Sequence, residues 1–395
     1  MTVVKKHGLL RKDLLKHFYY NKSLSLTELS RLTHKSLPLI TNTVNNLIEE
    51  GYVSEYGLAP STGGRRGLAF SLNNKKQRYI VAVAVDQIVT QVVIYDLANN
   101  IKTAPEKKEI ILNDSPSLIS TFAAFLKDYI SRSGVSLDEI LGIGIGMPGF
   151  VNAEQGVNHS FFKTKSGATL TKHLAHELGL PVFIDNDSSL IALAELKFGA
   201  GRNLKDVLVV NVGWGTGLGM IVNGSLFRGH SGYAGEFSHI PLSQSNKICS
   251  CGKRGCLEVD TSLLVLLERA KAEMESGAST SMEQEFKETG TLSGDHFLQA
   301  ARSGDPLAVS ILSDAAFLIG KGMATLIHIM NPKLIVLSGR GAIAGKILMA
   351  PIQQAINEFC IPWLAEHTEI QVSTLSSDPE LLGAATLVIE NCNFK

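Results

Sequence analysis

Apolar residues recur at helical spacing from the start of the chain. Leu10, Leu14, Leu15 and Phe18 share one face of a helix predicted over residues 9–20. Ser25-Leu26-Thr27-Glu28 opens a second, shorter helix. The Ser25 hydroxyl can accept from the Glu28 N–H while the Glu28 carboxylate reaches back, which is a capping box. Leu26, Leu29 and Leu32 are its expected inner positions, through Thr33. A tight break follows at His34-Lys35. Ser36 suits the N-cap of a third helix, Pro38 fits its first turn, and Gly51 ends it. Ile40, Val44, Leu47 and Ile48 form its buried stripe. Two β-type runs, 52–56 and 67–72, then flank Ser61-Thr62-Gly63-Gly64-Arg65-Arg66-Gly67. A short helix, a turn, a longer helix and a glycine-tipped hairpin make a winged helix-turn-helix.

Beyond a polar linker at 73–78 the pattern changes. Strands are expected at 79–85, 91–96, 140–145, 182–184, 207–212, 334–337 and 369–374. Helices are expected at 118–130, 170–178, 188–198, 261–275, 307–330 and 379–389, with 276–292 polar and unassigned. Strands alternating with helices predict an α/β body with its binding loops at the C-terminal ends of strands. The glycine-rich run 213–219 is expected to be such a loop.

The chain has 395 residues, 45% hydrophobic and 19% charged, which excludes a largely disordered or fibrous protein. No uncharged apolar run approaches the roughly 20 residues needed to span a bilayer, so no membrane insertion is expected. The first 16 residues lack an apolar core followed by a small-residue cleavage site, so the expected location is cytoplasmic. Net charge is zero, but residues 1–78 hold 13 Lys/Arg against 5 Asp/Glu, a net +8, and the remainder is −8. A basic head on an acidic body points to a polyanion such as operator DNA; a merely solvated charged surface is the alternative. In the DNA reading, Ser36, Thr41, Asn42 and Asn45, with Asn46, face bases or phosphates from the third helix. Arg65 and Arg66 reach from the wing. The competing reading is a small protein-docking module with a basic loop.

Three of the five cysteines lie within Cys249-Ser250-Cys251-Gly252-Lys253-Arg254-Gly255-Cys256, and His239 precedes them by ten residues. Three thiolates and one imidazole are a donor set for a closed, tetrahedral, structural zinc ion, with no position left for metal-centred catalysis. Free or oxidisable cysteines beside an unrelated histidine are the alternative.

Glu236-Phe237-Ser238-His239 followed by Cys-x-Cys-Gly-x-x-Gly-Cys-Leu-Glu over 249–258 resembles the signature of the ROK family of sugar kinases and sugar-responsive repressors. The likeness extends to Gly146-Met147-Pro148-Gly149, Asp185-Asn186-Asp187, the Gly-Thr-Gly at 215–217 and Ser338-Gly339-Arg340-Gly341. A DNA-binding head before this body is similar to the NagC/Mlc/XylR type of regulator. The resemblance implies a winged helix-turn-helix at 1–75. It is followed by a two-lobed α/β actin-like, hexokinase-like body: 76–187 plus 377–395 as the smaller lobe, and 188–376 as the larger lobe with the zinc site and dimerisation surface. It further implies sugar contacts from Gly149, Asn186, Asp187, Glu236, His239 and Glu258, and metal ligation by His239, Cys249, Cys251 and Cys256. Helix capping by Asn186 and Asp187, and support of the metal loop by Glu236 and Glu258, remain alternative roles. Ser238 departs from the family's usual glycine.

The family's kinases carry Asp-x-Gly-Gly-Thr at the first strand turn, where glycines let backbone amides approach phosphates. Here the segment is Asp86-Gln87-Ile88-Val89-Thr90. Two β-branched residues stand where glycines are needed, and phosphoryl transfer depends on that positioning. The expectation is therefore a non-enzymatic transcriptional repressor. A sugar or sugar-phosphate effector would change its affinity for operator DNA, in a homodimer or homotetramer open to control by a protein partner. An ATP-dependent sugar kinase with a DNA-binding head is the alternative, and a ligand-free docking platform is a third reading.

Overall fold

The computed structural model describes residues 3–58, 67–73, 75–113, 115, 117–164, 167–375 and 378–394. The chain separates into two compact units. One comprises Met1–Ile145, Phe161–Ile184 and Ala384–Lys395; the other comprises Gly146–Ser160 and Asp185–Gly383.

The first unit begins with α1 (Val3–Tyr20), which buries Leu10, Leu14, Leu15, Phe18 and Tyr19. Strand β1 (Leu24–Ser25) leads into α2 (Leu26–Thr33), and the capping box forms: Glu28 N–H donates to Ser25 Oγ at 3.3 Å and Ser25 N–H donates to Glu28 Oε2 at 2.8 Å. Leu29 is buried but Leu32 is 40% exposed, contrary to expectation. The helix has only eight residues, and its inner face runs through the i, i+4 pair Leu29 and Thr33, which leaves Leu32 to one side. His34, at φ 54°, ends the helix. Helix α3 (Leu37–Glu49) buries Ile40, Thr43, Val44 and Leu47, and Ser36 caps it without a side-chain bond. Strands β2 (Val53–Leu58) and β3 (Leu68–Leu72) pair antiparallel, and β1 joins β3, giving the order β1-β3-β2. The predicted hairpin tip, with Arg65 and Arg66, lies outside the described residues.

The same unit contains β4 (Tyr79–Val85), β5 (Val89–Asp96), β6 (Ile101–Glu109), α4 (Leu118–Arg132), α5 (Leu170–Leu178) and all but the last two residues of β7 (Ile140–Met147) and β10 (Val182–Asn186). The short pair β8 (Val151–Asn152) and β9 (Val157–Asn158) belongs to the second unit. The sheet order is β10-β7-β4-β5-β6, with β4 wholly buried and β4-β5-β6 an antiparallel meander. Strand β6 gave no signal in the sequence. It is an edge strand reading IKTAPEKKE, mostly exposed, with charges and a proline where a central strand would alternate.

The second unit is built on the order β13-β12-β11-β14-β15. It runs through α6 (Asp187–Phe198), β11 (Val207–Val212), β12 (Thr216–Val222), β13 (Ser225–Leu226), α7 (Glu258–Thr261), α8 (Leu263–Glu275), α9 (Glu283–Thr289), α10 (Gly294–Arg302), α11 (Pro306–Met330), β14 (Leu334–Ser338), α12 (Gly345–Phe359), α13 (Pro362–Ala365) and β15 (Glu369–Val372). Helix α14 (Pro379–Asn391) closes the chain. Strands β11, β14 and β15 are parallel, and β12 runs antiparallel to β11. The glycine-rich run is thus a loop only at 213–215. Gly217 and Gly219 lie inside β12, where added Cβ atoms would collide with Ser188 and Ala192 of α6. They let helix and strand approach closely. Helix α11 is long and apolar enough to cross a membrane by length and composition, a feature that a search for uncharged runs passed over. It serves instead as the core helix, burying Ile311, Leu312, Ile319, Met323 and Ile327.

Candidate ligand site and metal centre

The start of α6 positions Asn186 and Asp187. The Asn186 Oδ1 accepts from the N–H groups of Ser188 and Ser189 at 3.0 and 3.2 Å, and its Nδ2 donates to the Gly149 carbonyl at 3.4 Å. Asn186 therefore caps α6 and ties it to the Gly149 loop, whose φ of 92° suits glycine. Asp187 Oδ1 accepts from the Ser188 N–H at 2.7 Å. Just before them, the buried Asp185 makes a two-pronged pair with Arg228 at 3.2 and 2.6 Å. Burial pushes the Asp185 carboxyl up and Arg228 opposes the shift. Arg228 carried no signal in the sequence, because nothing local announces a partner 43 residues away.

A 3-10 turn at Phe237–His239 presents Glu236 and His239 on either side of a buried anchor, Phe237. The Phe237 ring fits against α11 at Gly322, where an added Cβ would lie 2.7 Å from it. Glu258 opens α7. Burial pushes its carboxyl up to about 7, with Asp187 and Glu236 adding to the shift; the Thr216 N–H, 3.2 Å away, and the Ser238 hydroxyl oppose it. Glu236, whose side chain is 41% exposed, is pushed up to about 6 by partial burial and by Asp187. Asp187, Glu236 and Glu258 therefore feel one another as a cluster. Ser238, the departure from the family pattern, supplies a hydroxyl to Glu258 that a glycine could not. Such a cluster offers fixed acceptors to hydroxyl donors. Aromatic faces adjoin it: Phe150 stacks on His239 at 6.4 Å and meets Tyr233 edge-on at 6.1 Å. Neither aromatic stood out in the sequence, since single rings in loops have no periodic signature.

His239 faces two ways. Its Nδ1 is 3.6 Å from Cys249 Sγ, and its Nε2 is 3.7 Å from Glu236 Oε2. Burial holds its pKa down, favouring the neutral, ligating imidazole. Cys251 and Cys256 bring their sulfurs to 3.6 Å, and one ligand atom from each of His239, Cys249, Cys251 and Cys256 lies within 4.8 Å of every other. This cluster can hold a metal ion.

In the first unit, α3 exposes Ser36, Asn42, Asn45 and Asn46. Thr41 is half-buried, and its hydroxyl donates to the Leu37 carbonyl at 2.9 Å. The turn between β4 and β5 closes on itself: Asp86 Oδ1 accepts from the N–H groups of Ile88 and Val89 at 2.8 and 2.6 Å.

Mixed five-stranded sheets with helix-capped glycine loops define an actin-like, sugar-kinase-type fold. The chain belongs to the ROK family, whose profile matches residues 82–391. It is 28% identical to the xylose repressor of Caldicellulosiruptor bescii over 96% of this chain and 94% of that protein. It is 32% identical to the glucokinase of Halalkalibacterium halodurans over 73% of this chain and 89% of the enzyme. A crystal structure of a ROK family transcriptional regulator, a homolog of E. coli MLC, superposes with a TM-score of 0.77 over 97% of this chain and 96% of its own, at 24% identity.

Proposed function

We propose that this protein is a sugar-responsive, DNA-binding transcriptional repressor of the cytoplasm that binds its sugar without phosphorylating it. The observation that carries the reading is the head: three helices, one with a complete capping box, and a three-stranded antiparallel sheet precede the ROK-matched residues 82–391. In this reading the head is a winged helix-turn-helix. Helix α3 enters the major groove with Asn42, Asn45 and Asn46 toward base edges or phosphates, with Ser36 and Thr41 beside them. Arg65 and Arg66 extend from the wing. A dimer would present two such heads to two half-sites. The full-length likeness to a xylose repressor supports the assignment.

The sugar's hydroxyls would bond Asn186, Asp187, Glu236, His239 and Glu258 beside Gly149, with Phe150 and Tyr233 offering flat faces to its C–H groups. The metal is zinc. Tetrahedral coordination, with Zn–S near 2.3 Å and Zn–N near 2.05 Å, separates sulfurs by about 3.8 Å and sulfur from nitrogen by about 3.6 Å. The 3.6 Å separations here fit those values. Zinc on Nδ1 leaves the His239 Nε2 for Glu236 or a sugar hydroxyl, so the ion fixes the binding residues without reacting. The domains follow as a DNA-binding head at 1–75, a smaller lobe at 76–187 plus 377–395, and a larger lobe at 188–376. Titration of labelled operator DNA with pentoses, hexoses and N-acetylhexosamines tests the reading. One sugar should change affinity at least tenfold; if none does, the effector role fails.

The 32% identity to a glucokinase favours a second reading, an active sugar kinase. The self-closed turn at Asp86 weighs against it, since the amides that would meet phosphate already have an acceptor. An ATP-consumption assay with the same sugars separates the two.

A further inference from the structure

The first unit contains an open pocket of about 760 Å³, remote in sequence from every residue of the polar and metal cluster. Its walls come from four stretches of chain: Arg11 and Lys12 of α1, Glu50 and Tyr52 beyond α3, Lys76 and Arg78 of the linker, and Asn393 and Phe394 beyond α14. Among the described residues, four cations line it against a single carboxylate. Glu50 accepts from Arg11 Nε and Nη2 at 2.9 and 2.6 Å, which satisfies that one pair. Lys76 donates to the Glu50 carbonyl at 2.6 Å and stands 3.7 Å over the Tyr52 ring, neither of which cancels its charge. Lys12 is bonded to the neutral Asn393 amide. Arg78 donates Nη1 to the Gln77 carbonyl at 3.1 Å, while its Nε is buried without a hydrogen-bond partner. The carboxyl of Asp138 senses Arg78, but only after its bonds to Ser136 and the backbone. A buried guanidinium N–H with no acceptor is uncommon.

We propose that this pocket binds a small phosphate monoester, as a second input separate from the sugar. Among the described residues the excess of roughly three positive charges suits a phosphate group, which brings close to two negative charges and three acceptor oxygens; a carboxylate would leave most of that charge unmatched. The phosphate bonds the Arg78 guanidinium and the ammonium groups of Lys12 and Lys76. The ester's organic part lies against the exposed Leu9, in a volume that fits a metabolite. Because the walls are drawn from the head, the linker and the C-terminal segment, an occupant fastens the three together. Tyr52 Oη already donates to the Phe394 carbonyl at 2.8 Å, and Arg11 reaches the same oxygen at 3.3 Å, so the ligand adds to an existing seam.

The test is calorimetric titration of the full-length protein with inorganic phosphate and with phenyl phosphate, neither of which carries a sugar. One saturable site per chain is expected, tighter for phenyl phosphate. Arg78→Gln and Lys76→Gln should each weaken it at least tenfold and leave sugar affinity unchanged. If Arg78→Gln does not fold, Lys12→Gln with Lys76→Gln carries the same expectation. Absence of saturable binding by the wild type overturns the proposal. So does unchanged phosphate affinity in the variants. A third result also overturns it: Arg78→Gln lowering the salt slope of operator binding by about one while the wild type ignores both phosphates. In that case the cations serve the DNA backbone.

Discussion

The turn between β4 and β5 and the carboxylate cluster around Glu258 are both polar and both sit at the ends of regular elements, yet their hydrogen-bond states are opposite. In the turn, the amides of Ile88 and Val89 are consumed by Asp86, one side chain within the same loop. Around Glu258, burial and mutual repulsion raise two carboxyls above their ordinary range, and Thr216 and Ser238 only partly offset the shift. A region whose donors are already bonded has nothing to give a nucleotide. A region of crowded acceptors gains by receiving hydroxyl donors from outside. The two regions share one fold but offer opposite groups to a ligand, spent donors in the turn and crowded acceptors around Glu258.

The comparison breaks most severely at the metal. Cys251→Ser should abolish stoichiometric zinc, measured by elemental analysis. A structural zinc site is worth on the order of 10 kcal/mol, so the 236–258 segment should lose its order and sugar affinity should fall more than a hundredfold. Retained zinc with normal sugar binding would refute the link. Next is Glu258→Gln. Losing a charge-assisted bond costs roughly 2 kcal/mol, so calorimetry should show sugar affinity reduced some thirtyfold, with zinc content unchanged. Wild-type affinity would remove Glu258 from the site. The double change Ile88→Gly with Val89→Gly addresses the other half. Unfolding experiments should show a loss of about 1–2 kcal/mol from backbone freedom, and ATP should still fail to bind, because Asp86 continues to occupy the amides. ATP binding by that variant would show that side-chain bulk alone had closed the turn.

The smallest effect concerns the head. Ser25→Ala should cost about 1 kcal/mol in urea unfolding through loss of the α2 cap. The Glu28 carboxyl is held below its ordinary 4.5 by the backbone N–H and then the hydroxyl of Ser25. Its contribution is therefore complete above about pH 4.5 and is lost as pH falls further. Stability measured between pH 5 and 3 should decline more steeply for the wild type than for Glu28→Gln.

What the sequence revealed follows from where the signal was local. The bounds of α5 and β11 could be read from their apolar spacing, and the α2 capping box from four adjacent residues. The four metal-cluster residues were legible because cysteines are scarce and close in sequence. Strand β6 was hidden because an edge strand need not alternate, and the start of β12 because glycines selected for close packing look like glycines selected for turning. The convergence of Asp187, Glu236 and Glu258 came into view through a family pattern and not through any periodicity, since the three lie on separate elements. Arg228, Phe150 and Tyr233 depend on contacts across long separations and could not be seen at all.

The missing side chain at Gly322 gives α11 a lever over recognition. The ring it accommodates anchors the short turn that carries Glu236 and His239, so a single methyl on a buried helix would displace two groups of the polar cluster at once without touching either. A change in the interior can therefore move the groups of a surface turn while every residue of that turn stays the same.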